Sequence, residues 1–168
     1  MKKNWILFIF LISGSLFLVS CATTPTPQKT QLQIREFQTR SYDTNDTKMV
    51  MKAVLNTLQD EGFIVKNAVV ELGLITATKE IDIESKSEAF FATLFAGAQA
   101  TWIKNSTIEA SANISEFGPQ TRVRVNFQIK TLDNKGGVRE IKQIEDGQYY
   151  QDFFSKVDKG IFIQKEKL

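Results

Sequence analysis

The sequence predicts an α+β fold, an antiparallel sheet of about five to six strands with two helices packed on one face. Three observations lead there. Ile108, Ala110, Ala112 and Ile114 alternate with Thr107, Glu109, Ser111, Asn113 and Ser115. After Gly118-Pro119-Gln120, Val123, Val125, Phe127 and Ile129 alternate with Arg122, Arg124, Asn126, Gln128 and Lys130. A period of two in neighbouring runs joined by a turn marks antiparallel strands with one wet face. Met51, Val54, Leu55 and Leu58, and later Tyr150, Phe154, Val157 and Ile161, recur instead at helical spacing.

The chain opens with Met1-Lys2-Lys3-Asn4, a short positive region, and then runs from Trp5 to Val19 without a charge. Small residues precede Cys21, which completes the layout of a secretory signal peptide over residues 1–20. The uncharged run is about 15 residues, interrupted by Ser13-Gly14-Ser15, and a spanning helix needs ~20. Leu18-Val19-Ser20-Cys21 resembles a lipobox, the processing site of bacterial lipoproteins. Leu stands at −3, Ser at −1, and Cys21 is the single cysteine of the chain. The resemblance implies that the mature protein begins at Cys21, which carries a thioether-linked diacylglycerol and an amide-linked acyl chain. Two or more chains give stable anchoring, at ~0.8 kcal/mol per buried CH₂. Ala22 stands where an inner-membrane retention signal of enteric lipoproteins has Asp, which implies the outer membrane, with the domain facing the periplasm.

Residues 21–33 are rich in Thr, Pro and Gln and read as a flexible tether. A single α+β domain is expected over 34–168. Its first strand is expected at 34–42, which bears Ile34, Phe37 and Tyr42. Asp43 or Thr44 is the expected cap of the first helix, whose apolar stripe ends before Gly62, a residue suited to a left-handed helix stop. Residues 63–70 and 72–81 form a hairpin turned near Gly73. Asp133-Asn134-Lys135-Gly136-Gly137 is a second turn, leading to a less regular strand over 138–144. The last helix starts at Asp146-Gly147, and Gly160 weakens its final turn.

Lys52-Ala53-Val54-Leu55, then Leu58-Gln59-Asp60-Glu61-Gly62-Phe63-Ile64-Val65, then Leu72-Gly73-Leu74-Ile75-Thr76-Ala77 carry a second resemblance. They resemble the helix, "Gly-Phe-x-Val" and "Gly-Leu-Ile" series of the helix-grip domains of BamC (NlpB) lipoproteins and related small outer-membrane lipoproteins. The match covers about 30 residues, most of which build a helix, a cap and a hairpin. It implies a helix-grip-like arrangement of sheet and helices.

Composition narrows the function. The chain has 21 Lys and Arg against 19 Asp and Glu, and its excess of positive charge lies in Lys2 and Lys3. A mature chain without residues 1–20 is therefore neutral and has no net field to draw it onto nucleic acid. There is no histidine. That removes Ser-His-Asp and Cys-His catalysis and the usual zinc sites. No enzyme activity, metal or cofactor is expected. Asp43, Asp46, Asp60 and Glu61 read as helix-capping and exposed helix positions, not as a catalytic set. Arg122, Arg124 and Lys130 share a strand face and read as a solvated face, with Glu109 placed to pair across the hairpin. An anionic envelope ligand is the alternative for that face.

Residues 88–101 form the most unusual stretch. Phe90, Phe91, Leu94 and Phe95, interleaved with alanines, make an apolar run between two strands. Either it packs on the open face of the sheet, or it stands out and docks a partner protein, a second copy or the membrane surface. The expected function is a lipid-anchored, non-catalytic module that binds another envelope protein. The alternative is a carrier or sensor of an apolar lipid ligand held between helix and curved sheet.

Overall fold

The computed structural model describes residues 29–81, 106–132 and 137–166. Over these residues the chain is an α+β protein with a six-stranded antiparallel sheet. In chain order the elements are α1 (Gln31–Phe37), β1 (Thr39–Tyr42), α2 (Thr47–Asp60), β2 (Ile64–Val69), β3 (Leu74–Glu80), β4 (Ser106–Phe117), β5 (Gln120–Leu132), β6 (Val138–Gln143) and α3 (Gly147–Glu166).

The first element corrects the sequence expectation. Residues 34–42 were expected as one strand, but the chain is helical through Phe37 and extended only from Thr39. Thr30 is the reason. Its hydroxyl accepts from Gln33 N at 3.3 Å while its own N–H donates to Gln33 Oε1 at 2.8 Å. That reciprocal pair satisfies two orphan donors and starts a helix just upstream of the apolar residues. Ile34 is then buried, and Phe37 packs on Tyr150 with ring centroids 5.2 Å apart.

The helix cap is displaced as well. Met49 N donates to Asp46 Oδ1 at 2.9 Å, so Asp46 caps α2 in place of Asp43 or Thr44. Asp43 instead accepts from Gln120 Nε2, and Thr44 O accepts from the Thr121 hydroxyl at 2.8 Å. Val50, Met51, Ala53, Val54, Thr57 and Leu58 form the buried stripe, and Gly62 takes the left-handed conformation that ends α2.

The strands order as β1-β5-β4-β3-β2, with β6 also paired to β5. The long strand β5 thus serves β1 along its first part, Thr121 to Arg124, and β6 along its last, Gln128 to Leu132. The inward faces are the predicted ones: Ile108, Ala110, Ala112 and Ile114 on β4, and Val123, Val125, Phe127 and Ile129 on β5 are all buried. Helices α2 and α3 cover this face, packed against each other where Gly160 meets Ala53. Gly160 does not end α3, which continues to Glu166. A Cβ at Gly160 would sit in ordinary contact with Ala53, 3.5 Å from its Cβ.

Between β2 and β3, Val70–Leu72 makes one 3₁₀ turn that stops at Gly73. Gly73 has φ of +61°, and a Cβ there would fall 1.8 Å from Ile114 O. Only glycine fits, because the β4 backbone comes in to donate Ile114 N to Gly73 O at 2.8 Å.

Candidate functional site

Several residues singled out from the sequence lie outside the described residues. These are Cys21, the apolar set Phe90, Phe91, Leu94 and Phe95, and the turn residues 133–136. The chain leaves and re-enters the sheet around that apolar set at one point, where Ile81 N donates to Ser106 O at 3.1 Å. Of the carboxylates set aside as capping groups, Asp46 caps α2 and Glu61 pairs with Lys156 across the helix layer.

The face of the sheet turned away from the helices is polar. Register places Thr76, Thr78, Glu109, Ser111, Asn126, Gln128 and Lys130 on it, alternating with the buried set. All of these but Lys130 line a shallow concavity of ≈ 340 Å³ beside Lys66 of the edge strand β2. Its single acid is spoken for: Gln128 Nε2 donates to Glu109 Oε2 at 2.8 Å and Lys130 Nζ lies 3.3 Å from Glu109 Oε1. That is the pairing expected across the hairpin.

Toward the β4–β5 turn the same face changes character. One cross-strand row runs Val69, Leu74, Asn113, Arg124, Thr39, and the next brings Ser115, Arg122 and Ser41 side by side. The Arg122 guanidinium stacks on Phe117, 3.3 Å from the ring centroid, a cation–π contact. Neither Arg122 nor Arg124 has an ion-pair partner among the described residues. Leu72, Leu74 and Phe117 at this end are exposed, at 63, 38 and 50 %. Behind them, on the helix side, a second concavity of ≈ 320 Å³ opens under the first turn of α2, lined by Lys48, Glu71 and Glu116.

A third polar group is internal. Between β1 and β6 the edge of β5 has no neighbouring strand for Val125, Asn126 and Phe127. Val125 N donates to Gln38 O at 2.9 Å, Phe127 N donates to Tyr150 Oη at 3.1 Å, and Ile144 N donates to Phe127 O at 2.9 Å. Gln38, buried like Tyr150, donates from Nε2 to Tyr150 Oη at 3.2 Å and to Asn126 Oδ1 at 3.3 Å. This node splices two short strands onto one long one, and nothing in the local pattern announced it. Burial above all holds the Tyr150 phenol above its ordinary range. Burial also raises Tyr42, helped by the Asp158 carboxylate nearby. Asp158 is engaged by Arg40 at 2.7 Å, and Tyr42 Oη has no partner in ordinary hydrogen-bond geometry.

Among the described residues no three His, Cys, Asp or Glu side chains gather to hold a metal. The exposed groups of this body include guanidiniums, hydroxyls, amides and a few large apolar side chains. No protein-family model matches the chain, and no curated protein is significantly similar to it.

Proposed function

We propose that the mature chain is a lipid-anchored domain of the bacterial envelope that binds another envelope protein and performs no chemistry of its own. The observation that carries this is Leu18-Val19-Ser20-Cys21 at the end of an uncharged run, with Cys21 the single cysteine. Ala22 after it favours the outer membrane, with the domain on the periplasmic side. The BamC-like series over residues 52–77 agrees with that setting.

Two features of the body support protein docking. Apolar side chains gain little on the open face, where Thr76, Thr78, Glu109, Ser111, Asn126 and Gln128 would lose water. Phe90, Phe91, Leu94 and Phe95 are therefore better suited to a second protein, or a second copy, than to this sheet. The space between helices and sheet is also filled. Phe127 has the rings of Phe63, Tyr149, Tyr150 and Phe153 around it at 5.0–5.8 Å between centroids. That packing weighs against carriage of an apolar ligand there. Organic extraction of the purified protein is expected to release no stoichiometric lipid beyond its own acyl chains.

Growing cells with labelled palmitate tests the anchor. The label is expected on the wild-type chain and absent from Cys21→Ser, and crosslinking in intact membranes is expected to yield one reproducible protein adduct. A chain without label, or found free in the cytosol, overturns the proposal. Replacing Phe91 and Phe95 with Ser is expected to remove the adduct and leave the circular dichroism unchanged.

A further inference from the structure

The Arg122–Arg124 end of the open face has a combination that neither the sheet nor the helix layer uses. Two guanidiniums stand two residues apart on β5, on rows shared with uncharged Ser115, Asn113, Ser41 and Thr39. Leu74 lies on the row of Arg124, and Phe117 lies under Arg122 at the hairpin tip. The acid beside it on this face is Asp43, which accepts from Gln120, two residues before Arg122, while Glu71 and Glu116 line the concavity beneath α2 on the other side. The patch is thus locally cationic on a mature chain with no net charge.

Its position matters equally. The first described residue, Lys29, lies just ahead of α1, which runs through Gln38 into β1, the strand beside Arg122 and Arg124. A helix of seven residues covers about 10 Å. The eight residues from Cys21 to 28 reach at most about 29 Å when fully extended. Lys29 Nζ donates to Glu145 O, so the tether leaves the body beside the start of α3, and an anchor at Cys21 keeps either face of the sheet within reach of the bilayer that holds it.

We propose that this patch lies against the surface of a bilayer bearing anionic phosphate headgroups. The planar guanidiniums present forked donors that suit phosphate oxygens. Phe117 and Leu74 supply the apolar groups that enter the boundary between headgroups and acyl chains. Docked so, the helix layer on the other side of the sheet remains open to the periplasm for a protein partner. Only the nearness of the bilayer rests on the lipid-anchored reading; palmitate labelling tests that reading, and the orientation experiment tests this one.

The experiment uses the full chain with Cys21→Ser, which leaves no cysteine, and one new labelling site. Ser115→Cys places an environment-sensitive fluorophore between the arginines and the hairpin tip. Asn56→Cys places it on the exposed side of α2, across the sheet. The uncharged N-terminal run holds every version on vesicles, so the readout is which face meets lipid. With vesicles of phosphatidylglycerol and phosphatidylcholine, the label at 115 is expected to shift to the blue and gain several-fold in intensity, and the label at 56 to stay as in water. Adding Arg122→Gln and Arg124→Gln is expected to lower the docking equilibrium read by the label at 115 on the vesicle surface by roughly 10- to 30-fold. Equal response at both sites, no response at 115, or the same response on pure phosphatidylcholine overturns the proposal. Unchanged circular dichroism in the labelled variants shows that they are folded.

Discussion

Tyr150 and Tyr42 are both buried phenols, yet their hydroxyls do opposite things. Tyr150 Oη accepts from Phe127 N and Gln38 Nε2, at the place where β5 lacks a strand neighbour. Tyr150→Phe strands the buried Phe127 N–H and leaves the Gln38 amide with Asn126 alone, and a loss of about 1–3 kcal/mol is expected. A lower urea midpoint with an unchanged slope would record it. Tyr42 Oη has no partner of ordinary geometry. Tyr42→Phe removes an unsatisfied polar atom and is expected to leave the midpoint unchanged or raise it. Both phenols are held above the ordinary value by burial first. An acid with a higher pKa folded than unfolded keeps its proton longer in the native state. The stability tied to it is full below about pH 10, the unfolded value, and is lost as pH rises from there toward the folded value. The urea midpoint should therefore be level between about pH 7 and 9 and fall above 10. A shallower fall in Tyr42→Phe than in wild type is the expected signature.

Glycines decide how the elements meet, and they separate cleanly by what surrounds them. Gly73 and Gly118 share a left-handed backbone, with φ of +61° and +60°. A Cβ at Gly73 meets Ile114 O at 1.8 Å, whereas one at Gly118 meets nothing within 4 Å. Gly118→Ala should cost about 1 kcal/mol, the conformational term alone. Gly73→Ala must also push β4 away and break its bond to Ile114, so a loss well beyond that is expected when both variants are compared in thermal melts. Gly160 is the reverse case, since a Cβ there reaches ordinary contact with Ala53 at 3.5 Å. Gly160→Ala is expected to stabilise α3 by up to about 1 kcal/mol. These elements were legible to different degrees. The stripe of α2 and the alternation of β4 and β5 were readable because each buries one face against one neighbour. α1 was not, since Ile34, Phe37 and Tyr42 fit a strand as well as a helix, and the decision lay in the Thr30–Gln33 cap. The sharing of β5 by β1 and β6 depends on Gln38 and Tyr150, 112 positions apart in the chain, which no local pattern encodes. Arg122 and Arg124 were legible as one wet face. Their lack of an ion-pair partner among the described residues and the Phe117 ring under Arg122 needed the structure.

At the scale of the whole molecule, the open edges of the sheet are where a second copy could add a strand. β2 is an end strand, and Ile64 on it is 64 % exposed, a template for another copy. Two features blunt it. The register with β3 slips between Val65 and Asn67, and Lys66 occupies the irregular position, exposed to solvent. A bulge bends the free edge, and a lysine on it makes pairing with a second copy bury a charge. Remove the charge and keep the bulge, and Ile64, Val65 and Val69 leave the edge largely apolar. Lys66→Val is thus expected to associate with rising concentration, seen as a growing mass in light scattering. Lys66→Glu keeps a charge at the same point and should elute as wild type does. Should both variants behave alike, the charge at 66 is not what guards this edge, and the bulge alone must hold the strands apart. The apolar patches at Phe117 and Leu74 lie at the other end of β3 and β4 from Thr78, the residue paired with Ile64. Association through β2 would therefore leave the arginine patch uncovered, so the label at position 115 should report on vesicles equally well in the associated variant.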